Sequence, residues 1–68
     1  MHIPDTVDVK SVRKRLGLSQ EAFAATYGFA LSTMRDWEQG RRQPDRSARI
    51  LLKIVEKEPE AVTRALAS

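Results

Sequence analysis

The sequence predicts an all-α domain of five short helices. Apolar residues recur three or four positions apart in successive short stretches, which is the spacing of a buried helix face. Glycines stand where these stretches end, and residues that cap helices stand where they begin. The chain has 68 residues, of which 41% are hydrophobic and 31% charged, so one soluble domain spanning residues 1–68 is expected.

The first helix is predicted over about residues 8–16 and the second over about residues 20–27. Gly17 is expected to end the first helix, because the position after the last turn favours a left-handed backbone. Ser19 is a suitable N-cap for the second. The buried stripe of the first helix, at positions i, i+3 and i+7, consists of Val9, Val12 and Leu16.

The third helix is predicted over about residues 31–39. Its N-cap is unclear, because Ala30 stands where a hydroxyl would cap best. Gly40 is expected to end it, and residues 41–44 form a basic loop.

The fourth helix is predicted over about residues 46–57, with Asp45 or Ser47 as its cap. Pro59 suits the first turn of a fifth helix over about residues 60–66. The apolar stripe of the fourth helix is broad, which predicts burial on more than one side. It consists of Ala48, Leu51, Leu52 and Val55, with Ile50 and Ile54 beside it.

The central stretch has the spacing of a helix-turn-helix motif over about residues 20–39. Counting Gln20 as the first position, Ala24 is the fifth and Gly28 the ninth. Two crossing helices whose backbones nearly touch need a small residue such as Ala24, and the turn needs a residue that tolerates a positive φ, such as Gly28. The shared core is expected to contain Phe23, Tyr27, Met34 and Trp37. We therefore interpret the chain as a DNA-binding module.

The composition excludes several classes of function. There are no cysteines, and His2 is the only histidine, so no disulfide, metal site or other cofactor is expected. Nothing supplies a nucleophile or metal ligand beside Glu21 and Glu38, so the chain is expected not to be an enzyme and to have no small-molecule substrate. No apolar run approaches the ~20 residues of a membrane span, and no secretion signal is visible. A cytoplasmic, nucleoid-associated protein is expected.

Basic charge is concentrated around the helix-turn-helix. Residues 10–49 contain nine Lys or Arg against four Asp or Glu, a local charge of +5, whereas the whole chain carries +3. Residues 50–68 contain three of each sign. A solvated basic face would give the same count, but its coincidence with the motif favours a phosphate backbone as the partner.

Several motifs resemble the lambda-repressor-like helix-turn-helix domains, also called Cro or XRE type. These motifs are residues 16–20 (LGLSQ), Gly28 and residues 37–44 (WEQGRRQP). More narrowly, residues 32–44, residues 48–49 and residues 58–62 are similar to HigA-type antitoxins of toxin–antitoxin pairs. The broad resemblance implies a homodimer that binds double-stranded operator DNA, with one recognition helix in each major groove. The narrow one implies a repressor of its own operon that also binds and inhibits a HigB-type toxin, a small ribosome-dependent mRNA endonuclease.

The resemblance also implies roles for individual residues. Gln20 matches the glutamine that opens the second helix and contacts phosphate. Arg13 and Glu38 match a partly buried ion pair that joins the first helix to the third. The positions that hold the DNA backbone or enter the minor groove are Arg41, Arg42 and Arg46. The DNA-binding positions of the third helix are Leu31, Ser32, Thr33, Arg35, Asp36 and Gln39.

Two of these positions depart from the family pattern. Asp36 places a carboxylate on the reading face, where it can accept from cytosine N4 but repels phosphate. Leu31 stands where a polar glutamine is common, so it would contact a thymine methyl or no base at all. Arg35 can read guanine, contact phosphate, or pair with Asp36 or Gln39 within the helix. The alternative function is therefore a protein-interaction adaptor that neutralises a partner without specific DNA binding.

Val62 and Leu66 lie on one face of the fifth helix. This stripe can complete the monomer core, form the dimer interface or receive a toxin, and a dimer contact combined with core packing is the expected use. The chain starts abruptly at residues 1–4, and HigA-type proteins often carry an N-terminal extension. A toxin-binding segment can therefore lie outside this chain.

Overall fold

A computed structural model describes residues 7–67 of the chain. Within that range it contains five α-helices and no strand, which confirms the predicted all-α fold class. The helices are α1 (Val9–Arg15), α2 (Gln20–Tyr27), α3 (Leu31–Gln39), α4 (Arg46–Lys57) and α5 (Pro59–Ala67). The predictions for residues 1–6, including His2, lie outside the described residues.

Side-chain caps start three of these helices. The cap residues are Asp8, Ser19 and Asp45. In each, a side-chain oxygen accepts from the backbone N–H three residues later, at 2.8–3.1 Å. Asp45 rather than Ser47 is therefore the cap of α4. Ala30 precedes α3 without a side-chain hydrogen bond, as its methyl side chain requires.

One core is shared by all five helices. Its fully buried side chains are Phe23, Met34, Leu52 and Val55, and its other members are Val9, Val12, Ala24, Tyr27 and Val62. The predicted core of the helix-turn-helix is thus buried, except that Trp37 packs against the cluster from a half-buried position. Three ring contacts join this part of the core, since Phe23 packs on Tyr27 and Phe29 and the Phe29 ring meets Trp37 edge-on at 5.3 Å.

The turn between α2 and α3 depends on one glycine. Gly28 has φ +78°, in the left-handed region, and a Cβ there would meet no atom within 4 Å. The constraint is therefore the backbone conformation and not lack of space. Ala24 is 4% exposed, and its carbonyl accepts from the Phe29 N–H at 2.9 Å. Both predicted requirements of the motif are met.

The packing leaves one side of α3 open. α3 packs against α1 and α2, whereas α5 packs against α2 and α4. Met34 anchors α3 with 0% exposure. At about 100° per residue, Asp36 points about 160° away from Met34, and Ser32 and Gln39 project on the same outward side. The outward side of α3 is therefore accessible to a ligand.

Candidate nucleic-acid interface

The outward side of α3 carries four polar side chains, which together we name the reading face: Ser32, Arg35, Asp36 and Gln39. Three of them are exposed and Asp36 is half-buried. Leu31 and Thr33 are half-buried at the edges of this face. The six predicted positions of the third helix therefore share one region of the surface. Donors and acceptors alternate there, which suits the edges of bases in a major groove.

A basic loop follows the reading face, and it is folded back onto the end of α3. Gly40 ends the helix with φ +77°. The backbone N–H groups of Arg41 and Arg42 then donate to the Asp36 carbonyl at 2.9 and 3.4 Å. The side chains of Arg41, Arg42 and Arg46 are exposed. Arg41 and Arg42 thus directly follow the reading face, and the side chains of all three arginines lie in solvent, where they can contact phosphates.

The Asp36 carboxylate lies close to the basic loop. Its Oδ1 is 3.6 Å from Arg41 Nη1, and the two side chains are 27% and 69% exposed. An exposed pair of this kind contributes little stability. Its relevance is electrostatic, because it partly neutralises the only carboxylate of the reading face.

An ion pair fixes α3 relative to α1. Arg13 donates from Nε and Nη2 to the two oxygens of Glu38 at 2.8 and 2.9 Å, and from Nη1 to the Leu18 carbonyl at 3.0 Å. The side chains are 13% and 5% exposed. Arg13 holds the pKa of the Glu38 carboxyl below its ordinary value, and Glu38 raises the pKa of Arg13. The bidentate geometry fixes the orientation of the recognition helix.

Gln20 joins this ion pair from the first residue of α2. Its side chain is half-buried and interacts with the Glu38 carboxylate, which adds to the lowering of that group's pKa. Gln20, which matches a phosphate-contacting position by resemblance, therefore interacts with the Glu38 carboxylate that joins α3 to α1.

Sequence reasoning did not assign a role to Arg49. Its Nη1 donates to the Pro44 carbonyl at 2.8 Å, and its Nε is buried without a hydrogen-bond partner. Pro44 is itself buried. Arg49 therefore ties the end of the basic loop to α4. No spacing rule predicts this contact, because the loop conformation that presents the Pro44 carbonyl is not visible in the sequence.

The two predicted interface residues of α5 have different surroundings. Val62 is 9% exposed and belongs to the core, whereas Leu66 is 56% exposed. Ile54 on α4 is the other large apolar side chain that is exposed among the described residues, at 43%. An open cleft of about 390 Å³ lies beside α5 and is lined by Leu16, Leu18, Thr26, Tyr27, Pro59, Glu60 and Thr63.

Two other kinds of site are not found among the described residues. No group of three or more metal-ligating side chains lies together within residues 7–67. None of the helices described is long and apolar enough to cross a membrane.

The chain is a helix-turn-helix protein whose second helix turns a polar face outward, beside a loop of arginines. Its fold is that of an XRE-type protein of known structure. The crystal structure of a "HTH XRE-family like protein" from Agrobacterium tumefaciens matches with a TM-score of 0.85 and 49% sequence identity, covering 87% of this chain and 95% of that one.

Sequence comparisons assign the chain to a narrower family than its fold does. A sequence model described as "Antitoxin component of bacterial toxin-antitoxin system, MqsA" matches residues 1–65, and the chain belongs to this family. It is also 34% identical over 56 residues to Antitoxin HigA-2 of Vibrio cholerae serotype O1 (strain ATCC 39315 / El Tor Inaba N16961). That alignment covers 82% of this chain and 54% of the relative, so the chain spans about half the length of that protein. The resemblance to XRE-type antitoxins inferred from the motifs is confirmed.

Proposed function

We propose that the chain is a sequence-specific DNA-binding repressor, and that it is the antitoxin of a HigB/HigA-type pair that represses its own operon. The observation that carries the proposal is the position of the basic loop. The Asp36 carbonyl accepts from the loop, so the arginines are fixed next to the reading face. One rigid unit can then contact base edges and the flanking phosphates together.

The mechanism follows from this arrangement. α3 enters the major groove, while Arg41, Arg42 and Arg46 bind phosphate and set the register. Gln20 contacts phosphate from the start of α2. Occupation of an operator in the promoter then excludes polymerase from that promoter. The protein would act on nucleoid DNA in the cytoplasm. Binding alone accounts for this role, without catalysis.

A homodimer is part of the proposal. Leu66 supports it, because this leucine projects from α5 with more than half of its surface exposed, whereas Val62 in the preceding turn is buried in the core. Dimerisation would cover Leu66 and place two recognition helices about one DNA turn apart. Sedimentation of a Leu66→Glu variant tests this, since a variant that remains dimeric would remove Leu66 from the interface.

The proposed protein partner is a small mRNA endonuclease of the HigB type. Membership of an antitoxin family and the likeness to Antitoxin HigA-2 support this choice. Co-expression with the product of the neighbouring gene tests it. Rescue of growth together with co-purification is expected, and growth arrest in the presence of the chain would contradict it.

The DNA-binding role is tested by the salt dependence of affinity. Replacing both Arg41 and Arg42 by Ala should weaken binding to every duplex and reduce the slope of log K against log salt by about 1.8, at about 0.9 per phosphate contact. The matched control replaces Lys14 and Lys57, two exposed lysines outside the proposed interface, and removes the same charge. An unchanged slope in the arginine variant, or an equal loss in the control, would exclude the phosphate role of the loop.

The adaptor alternative is favoured by two features of α3. Asp36 places a carboxylate on the reading face, and Leu31 is an apolar residue at its edge. An adaptor would bind its protein partner but would not distinguish duplex sequences at near-physiological salt. Its salt slope would also be insensitive to the loop arginines.

A further inference from the structure

Asp36 lies at the junction between the reading face and the basic loop. Its carbonyl accepts from the N–H groups of Arg41 and Arg42, and its carboxylate lies 3.6 Å from Arg41 Nη1. The Asp36 backbone is therefore hydrogen-bonded to the loop that is proposed to contact phosphate. Binding of the loop arginines to the DNA backbone would bring the Asp36 carboxylate close to the base edges.

The base preference of a carboxylate follows from its hydrogen-bonding capacity. Ionised Asp36 can only accept. In the major groove guanine presents two acceptors and thymine presents an acceptor beside its methyl group, so both repel a carboxylate. Adenine presents a donor next to the N7 acceptor, which makes the contact partly repulsive. Cytosine presents its N4 donor and no acceptor of its own, so it is the one base whose own major-groove edge only attracts the carboxylate.

The electrostatic cost of Asp36, in contrast, does not depend on the base sequence. A carboxylate facing DNA repels the phosphate backbone whatever the base sequence, and Arg41 reduces this repulsion only in part, from 3.6 Å in an exposed pair. Asp36 thus weakens binding to all duplexes and regains affinity only at cytosine. A side chain with this behaviour increases selectivity more than affinity.

We propose that Asp36 is a specificity-determining residue that selects cytosine at one position of each half-site. This inference rests on the proposed DNA-binding function, and it names one base of the operator. Arg41 is the cation that reduces the repulsion between the Asp36 carboxylate and the nearby phosphates.

The test is selection of duplexes from a randomised library by the full chain and by two variants. The wild type should select cytosine at one symmetric position, by about 5-fold over other bases, the lower end of the range for a good base contact. Asp36→Asn should change that preference to adenine, because an amide pairs with N6 and N7 of adenine. Asp36→Ala should lose preference at that position only. Both variants should bind scrambled duplex more tightly than the wild type does.

The matched control is Glu60→Gln on α5, which removes one negative charge from an exposed position away from α3. It should leave the selected sequence unchanged. A wild-type consensus that Asp36→Asn and Asp36→Ala both retain at every position would overturn the role of Asp36 and leave the repressor proposal intact. Failure of the wild type to select any consensus would overturn the proposed function, and this inference with it.

Discussion

The Arg13–Glu38 ion pair offers a direct test of how α1 holds the recognition helix. Replacing Glu38 by Leu leaves the Arg13 guanidinium in a site that is 13% exposed, with only the Leu18 carbonyl as its remaining acceptor. Replacing Arg13 by Met in the same chain removes the stranded charge as well. The single variant should therefore be less stable than the double variant.

The magnitude follows from the two hydrogen bonds that are lost, at 2.8 and 2.9 Å. Bonds to charged groups contribute about 1.5–3 kcal/mol each, and breaking a fully buried pair costs about 3–5 kcal/mol. Partial hydration of Arg13 lowers this figure, so about 2–4 kcal/mol is expected for Glu38→Leu. A domain of 68 residues has a total stability of only about 3–10 kcal/mol, so the loss is a large fraction.

Urea unfolding measures both variants, with circular dichroism and the fluorescence of the single tryptophan, Trp37, as independent probes. The double variant is expected to lie within about 1.5 kcal/mol of the wild type, since a buried pair replaced by apolar residues is often near neutral. A cost below about 0.5 kcal/mol for Glu38→Leu would refute the reasoning. So would a double variant that is less stable than the single one.

Three further predictions concern stability. Gly28→Ala should cost about 1–2 kcal/mol, because φ is +78° there; a urea midpoint equal to that of the wild type would contradict the argument. Asp45→Ala should cost about 0.5–2 kcal/mol by removing the cap of α4, and Asp45→Asn, which keeps an acceptor, should cost less in the same assay. Glu38 has a folded-state pKa below its ordinary 4.5. As pH falls, the unfolded chain therefore takes up this proton at a higher pH than the folded chain does. The resulting stabilisation is complete above pH 4.5 and is lost as pH falls through the folded pKa. Glu38→Gln should flatten this acid branch of stability against pH, whereas parallel curves would rule out the contribution.

The parts of the fold that were predictable depend on single residues acting locally. Ser19 caps α2 through its hydroxyl, and Gly28 allows the turn because it has no Cβ. Each of these effects is local and does not depend on the rest of the chain. The helix bounds followed from these signals and from the spacing of apolar side chains. The choice between Asp45 and Ser47 did not, since both residues can cap and only the backbone path decides.

The site was predicted less completely than the fold. Ser32 and Arg35 are exposed, as helical periodicity allows, but their assignment to DNA binding came from the family resemblance and stays a prediction. The Arg49 contact with Pro44 and the approach of Arg41 to Asp36 depend on how the loop folds back, which no periodic pattern encodes. Leu66 is exposed on the single chain, and its use at a dimer interface stays a proposal.

The most direct test of the central claim is a fluorescence-anisotropy titration at ~150 mM salt. It compares duplex from the region upstream of the gene with a scrambled duplex of equal length. The proposed repressor should prefer its own upstream region by about a thousandfold or more, as specific DNA-binding proteins do. Equal and weak binding to both duplexes would contradict the account and would leave the helix-turn-helix as a scaffold for a protein partner.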